Sequence, residues 1–199
     1  SPLQGDRALE VAVVMGENGT VRDSWHSLMN PDIPVPPFIS QLTGITPAMV
    51  REAPPASEVM AAAARFAGSA TLVAHNASFD KQFWQHELAR IRVRKSPQFI
   101  CTLLIARRLY PWALNHRLQT LVELHNIQSE GEYHRALADA SVTAQLFIQM
   151  QKDLAALHDG KTPDVAFMQK YQTTPKAQVR GMASRFGRGN VGFPRDENR

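Results

Sequence analysis

Apolar and polar positions along this chain recur with two different periods, and the switches between them outline a mixed α/β domain. Leu9 to Met15 reads LEVAVVM, apolar and β-branched, with Leu9, Val11 and Val13 on one face, which predicts a strand. GENGT follows, and Asn18-Gly19 signals a two-residue hairpin because both residues tolerate positive φ. Val21 to Met29 then returns as the second strand of an antiparallel ribbon. The proline-rich NPDIPVPPF cannot be a central strand or a helix. Two short segments come next, around Ile39–Leu42 and Pro47–Arg51, with Thr43 or Thr46 as candidate caps.

From Ser57 the period lengthens. SEVMAAAARFAG predicts a helix opened by Ser57 and closed by Gly68. Thr71 to His75 is a short buried strand. The helix after it takes Asn76 or Ser78 as cap and runs to about Arg92, with Phe79, Phe83, Leu88 and Ile91 as apolar contacts. Gln98 to Cys101 is a brief strand, and helices follow around Thr102–Leu109 and Leu118–His125. A long helix spans about Arg135 to Leu157, offering Leu137, Val142, Leu146, Ile148 and Leu154 for burial. AQLFIQM, around Gln145, falls inside it, so Leu146 and Phe147 read as core rather than as a clamp-binding peptide. Beyond it Gly, Pro and Arg dominate with little apolar periodicity. Strands alternating with helices and no internal repeat give one α/β domain at 1–158 and an extension at 159–199.

Composition refines this picture in three places. With 199 residues, 44% of them hydrophobic, one substantial core is affordable in size. The net charge of +4 is uneven: from Gly160 onward there are eight Lys/Arg against three Asp/Glu, leaving fourteen basic and fifteen acidic residues before it. A basic tail beside a near-neutral body suits an anionic partner, nucleic acid first, although a solvated flexible end has the same charge. Within the tail, VRGMASRFGRGN interleaves basic residues with Phe186, a pattern compatible with single strands or with docking onto protein. Trp25, Trp84 and Trp112 are scattered, as packing residues usually are. The single cysteine, Cys101, excludes an internal disulfide and fits a reducing, cytoplasmic compartment; its apolar setting makes it an inert thiol. No apolar run approaches the ~20 residues of a membrane span, so a membrane is not an expected partner. The first residues, SPLQGD, lack Met and leave room for an upstream segment.

Candidate chemistry sits in two stretches. LVAHNASFD, from Leu72, ends a strand and places Asp80 in the first turn of a helix, where negative charge is stabilised by up to ~1 kcal/mol. EGEYHRALADA, from Glu130, holds His134 and Asp139 five residues apart. On one regular helix that spacing is about 140° away from a shared face. The two converge only if His134 lies on the loop after Gly131 and Asp139 lies one turn inside the helix. An imidazole on a loop beside a fixed carboxylate suits a general base next to a metal ligand. His75, at a strand end, reads as a semi-buried, satisfied histidine.

Taken together, QLTGIT, LVAHNASFD, CTLLIARRLYP and HRALADA resemble the DEDDh family of 3′–5′ exonucleases, relatives of the proofreading epsilon subunit of bacterial DNA polymerase III. The resemblance covers about Ser1 to Leu157. It implies a ribonuclease H-like fold, a mixed β-sheet flanked by helices. It implies Asp80 and Asp139 as metal ligands, His134 as base, and Leu42, Thr43, Ile45 and Phe79 as contacts of the terminal nucleotide. Asn76 would orient that pocket or serve only as a helix cap. The implied cofactor is a pair of Mg²⁺ or Mn²⁺ ions. The implied partners are a nucleic acid with a free 3′ end, single-stranded and DNA before RNA, and a DNA polymerase or another replication or repair protein.

One departure is large. The family's other two acids form an Asp-x-Glu pair on a central first strand, between the hairpin and the LVAHN strand, and SPLQGDRALEV holds no such pair there. Glu10 is no substitute and reads as a structural or edge carboxylate. Two carboxylates cannot properly hold two divalent ions, and loss of that strand would leave two rows of backbone groups unpaired. The expectation is that the working protein has an N-terminal segment that these residues lack, and that residues 1–199 alone are inactive. The alternatives are an exonuclease-like module that binds nucleic acid or a polymerase without catalysis, and an exoribonuclease acting on short RNA.

Overall fold

The computed structural model describes residues 1–93, 96–128, 135–157 and 160–179. The hairpin forms as its turn chemistry dictates. β1 (Glu10–Glu17) pairs antiparallel with β2 (Thr20–Leu28), and Asn18 (φ 52°) and Gly19 (φ 74°) both take the left-handed region. The register shifts once, between Met15 and Gly16. α1 (Pro37–Thr43) and α2 (Pro47–Glu52) follow the proline-rich connection. Thr46 caps α2 by accepting the Met49 N–H, whereas the Thr43 hydroxyl donates back to the Ile39 carbonyl within its own helix.

α3 (Ala56–Ala67) follows Pro55 at its N-cap position, so Ser57 already lies inside the helix, and it closes on Gly68 at φ 58°. β3 (Leu72–Ala74) leads into α4 (Ser78–Arg90) without either predicted side-chain cap. Asn76 instead occupies a left-handed turn (φ 63°), and its side chain accepts from Ser78 Oγ. α4 buries Trp84, Glu87 and Leu88, and Phe79 is left exposed rather than packed. β4 (Phe99–Cys101) runs parallel to β3. α5 (Thr102–Leu109), α6 (Leu118–Leu124) and α7 (Ala136–Ala156) sit close to their predicted bounds. Cys101 is free and buried, as expected.

The structure departs most from the sequence reading after α7. α8 (Val165–Thr173) is capped by Asp164, whose carboxylate accepts the Phe167 N–H, and it buries Met168 and Tyr171. These join Ile100, Ile105, Leu121, Leu146, Met150 and Leu154 in the largest core cluster, which Val179 also enters. Apolar residues three apart on a single short helix gave too little periodicity to read. The extension therefore packs on the body through Val179, while the boundary expected at 158/159 falls on residues outside those described.

Backbone pairing comes in two separate pieces. The described strands form two two-stranded sheets, β1-β2 and β3-β4, with no ladder between them. Both nonetheless lie between the same helical layers. Val11 and Val13 of β1, Trp25 of β2, Leu72 of β3 and Phe99 of β4 pack with Val59, Met60 and Ala63 of α3 and Trp84 and Leu88 of α4. On the other face α7 lies against β1, β2 and β3. The single mixed sheet expected from the sequence is thus interrupted where the central strand was expected to be missing.

The far edge of β4 is closed by a side chain. Gln172 accepts the Cys101 N–H (2.7 Å) and donates to the Phe99 carbonyl (3.1 Å), so its amide imitates a neighbouring strand. At the start of the chain Arg7 grips Glu87 of α4 through two bonds of 2.7 and 2.8 Å and donates to the Pro31 carbonyl. Both partners are nearly dry, at 10% and 2% exposure. Removing one partner of such a pair strands a charge. Glu87→Ala is expected to lower the unfolding free energy by about 3–5 kcal/mol in urea titration, with Arg7→Ala/Glu87→Ala costing less than the sum of the two single changes.

Candidate active site

The candidate residues lie where two helices begin. β3 ends at Ala74, the chain turns through Asn76, and α4 opens with Asp80 in its first turn. α7 opens at Ala136 and carries Asp139 in its own first turn. Although Asp80 as a residue is exposed, protein packed around its carboxyl group removes part of its water and raises its pKa; its own backbone N–H opposes that rise, and the negative charge of Asp139 adds to it. The fold therefore brings Asp80 and Asp139, 59 positions apart in the sequence, within each other's field. His134 lies outside the described residues, immediately before them at Arg135.

The start of α7 is held by Glu10. Its carboxylate accepts from Arg135 Nε (3.3 Å) and Nη2 (2.9 Å) and from the Ala136 backbone N–H (2.9 Å). The Glu10 side chain is 6% exposed, so this is a buried carboxylate spent on positioning. It is the structural carboxylate of the sequence reading, and its partner lies 125 positions away. No spacing rule connects the two, so the sequence alone could not reveal the pair.

The residues predicted to meet a nucleotide divide in two. Phe79 is 59% exposed and tilts against Phe83 with ring centroids 4.8 Å apart; Leu42 is 53% exposed. Both are large apolar groups facing water, available for stacking. Ile45 is buried, packed with Val35 and Val50. Thr43 braces it, its Oγ1 accepting the Ile45 N–H at 3.2 Å. Among the described residues no hydrogen bond or ring contact joins this turn to Phe79 or Asp80.

His75 is satisfied, as its position suggested. Nε2 faces the His116 carbonyl at 2.9 Å, which only accepts, so Nε2 carries the proton and Nδ1 accepts from the Thr102 hydroxyl, also at 2.9 Å. The ring thereby ties the end of β3 to the loop before α6.

The donor set fits a hard divalent cation in kind, since carboxylate oxygens suit Mg²⁺ or Mn²⁺. It is short in number: among the described residues no group of three or more His, Cys, Asp or Glu could hold a metal ion.

The exonuclease family model matches residues 1–147. The chain belongs to the exonuclease family. The chain is 36% identical over 149 positions to the DNA polymerase III PolC-type protein of Caldanaerobacter subterraneus subsp. tengcongensis, covering 75% of this chain and 11% of that protein. They are 38% identical over 153 positions to the DNA polymerase III PolC-type protein of Bacillus subtilis, covering 75% and 10%. The chain thus spans about a tenth of the length of these curated relatives. Among solved structures it is similar to exonuclease X in complex with 5′ overhanging duplex DNA, with a TM-score of 0.64, 28% identity, and coverage of 82% of this chain and 90% of that one. The nuclease domain of 3′hExo, a DEDDh family member bound to rAMP, shares the fold at a TM-score of 0.63 and 20% identity, covering 73% and 80%. The ribonuclease H-like fold and the DEDDh-type resemblance read from the sequence agree with these likenesses. Among the described residues no helix is long and apolar enough to cross a membrane.

Burial is the main cause that pushes the His75 pKa below its ordinary value; the bond to His116 opposes this, and the nearby His116 and Arg107 add to it. A histidine held neutral in the fold destabilises it when acid demands the charge. Stability is therefore full above the unfolded value of ~6.5 and is lost as pH falls from there toward the lower folded pKa. His75→Gln is expected to flatten the fall in melting temperature between about pH 7 and 5, checked by thermal denaturation against pH.

Proposed function

We propose that this exonuclease domain hydrolyses phosphodiester bonds from 3′ ends, on DNA rather than RNA. The observation that carries the reading is that Asp80 and Asp139, each in the first turn of its helix, lie close enough for the charge of Asp139 to raise the Asp80 pKa, within a family-matched chain. Asp80 and Asp139 would hold divalent ions, Mg²⁺ or Mn²⁺. Bound in a pair, such ions supply an activated water and neutralise the leaving oxygen. His134 takes the proton from the attacking water, and an imidazole of ordinary pKa ~6.5 is suited to that near neutral pH. Phe79 and Leu42 offer apolar faces for the terminal base, and single-stranded ends suit them because stacking needs an unpaired face. Thr43 and Ile45 hold the turn that carries Leu42, and Asn76 sets the direction of the turn into α4.

DNA is favoured by the DNA polymerase names of the relatives and by the duplex DNA of exonuclease X. The same names support work beside a polymerase. The second reading is a module that binds without cleaving; among the described residues no group of three or more His, Cys, Asp or Glu could hold a metal ion.

Labelled single strands with Mn²⁺ test this. Residues 1–199 alone are expected to be inert, and a polypeptide that also carries the Asp-x-Glu acids is expected to cleave from the 3′ end. In that active form Asp80→Ala or Asp139→Ala should abolish hydrolysis with the fold intact by circular dichroism, and near-normal turnover would remove them as ligands. His134→Ala should slow turnover by roughly 10²–10⁴-fold, and an unchanged pH–rate profile would exclude it as the base.

The tail makes a separate prediction. Beyond Val179 there are five arginines against two acidic residues. Truncation after Val179, which leaves α8 in place, is expected to weaken nucleic-acid binding and to flatten its dependence on salt concentration. Identical salt slopes would show that the tail grips no phosphates.

A further inference from the structure

A cleft separate from the candidate residues lies between α4 and α8, over the start of β4. It is open, with a volume of about 430 Å³, within the ~300–1,000 Å³ of sites that take small molecules. Lys81 and Gln85 of α4 line one side, Gln169 and Gln172 of α8 the other, with Gln98 and Phe99 between them. Gln172 is already engaged with the β4 backbone, so it holds the α8 side in place. Gln85 Nε2 donates to Ser96 Oγ at 2.9 Å, and Gln169 donates to Gln98 Oε1. These bonds fix how the amides stand and leave each with further donor and acceptor capacity. The exonuclease match ends at residue 147, so the α8 side lies outside it.

One end of the cleft adjoins the candidate site. Lys81 follows Asp80 directly in the first turn of α4, and Gln85 stands about one turn further on, ~6 Å along the axis. β4 is in register with β3, Leu72 opposite Phe99 and Ala74 opposite Cys101. Phe99 therefore lies ~7 Å back from the strand ends where the chain turns toward Asp80. A polymer whose terminus sits at Asp80 can run directly past Lys81 into the cleft. The chemistry suits an anion. The lining residues include no Asp or Glu. Among the described residues the Lys81 ammonium makes no ion pair and no side-chain hydrogen bond.

We propose that the cleft between α4 and α8 is a second nucleic-acid subsite, holding unpaired nucleotides on the 5′ side of the terminal one. Its place along the strand rests on the 3′-exonuclease reading above, which puts the terminal nucleotide at Asp80. Lys81 takes a phosphate as a point charge. The half-buried ring of Phe99 offers a surface for a base to stack on. The amides of Gln85, Gln98 and Gln169 meet base edges. An amide sets an acceptor beside a donor, and bases offer the matching pair on their Watson–Crick edges only when those edges are unpaired. The cleft therefore selects single strands over duplex and brings little preference among bases.

Fluorescence anisotropy on the full chain, in EDTA so that no strand is cut, tests this with a single-stranded octathymidylate and a blunt hairpin duplex. Gln85→Glu and Gln169→Glu keep the side-chain shape and add negative charge to the cleft. Gln145→Glu, exposed on α7, adds the same charge elsewhere. Each cleft variant is expected to weaken binding of the octamer roughly tenfold, with duplex binding and melting temperature unchanged and Gln145→Glu without effect. Lys81→Gln should lower the slope of log affinity against log salt for the octamer by about 0.7. Octamer affinity untouched by both cleft variants would overturn the proposal, as would equal weakening of octamer and duplex. So would a hexaglutamate peptide whose binding falls as steeply in the same variants, since the cleft would then serve an acidic protein. Cleft variants that weaken octamers ending in a 3′-hydroxyl and a 3′-phosphate alike, when the two bind the unaltered chain equally, keep the cleft for single strands and remove the 3′-end reading beneath it.

Discussion

A carboxylate withdrawn from water decides where the rest of this molecule can go. Glu10 accepts two bonds from Arg135 and one from the Ala136 backbone, which pins the first turn of the longest helix to the first residue of β1. A buried carboxylate is tolerable only when its lone pairs are met in this way. Once the start of α7 is fixed, the rest of the helix must lie across both sheets. Asp139 is then carried to the mouth of the β3–α4 turn, where Asp80 stands. The candidate site is a consequence of that anchor rather than of local sequence around either aspartate.

The helices do work that a sheet ladder usually does. Without hydrogen bonds between β1 and β3, alignment of the two pairs depends on side-chain packing: Val59, Met60 and Ala63 from one face, and α7 from the other. Packing is non-directional and tolerates small slips, whereas a ladder fixes register. The Arg7–Glu87 pair supplies some of the missing direction by tying the approach to β1 onto α4, and His75 does the same between β3 and the 110–117 loop.

Local chemistry made much of the fold legible. Asn18-Gly19 fixed the hairpin, Gly68 closed α3, and the bounds of α5 were read from its apolar run. The caps were less readable. Ser57, Ser78 and Asn76 are good capping residue types, but Pro55 and a left-handed Asn76 set the entry angles instead, and both depend on where the chain must go next. α8 was missed because its burial of Met168 and Tyr171 is decided by Ile105 and Leu121, residues far away in sequence. At the site, the approach of Asp80 to Asp139 was legible from two motifs considered jointly. The Glu10 anchor was not, because a lone glutamate at a strand start carries no periodic signal.

Cys101 gives this architecture a reporter. It is the only thiol in the chain, it is buried, and its backbone N–H is held by Gln172. A maleimide or disulfide reagent can reach it only when α8 lifts from β4 or the core opens. The rate of native-state alkylation therefore measures how often the structure around the end of β4 opens, with no engineered label and no background from other sulfhydryls.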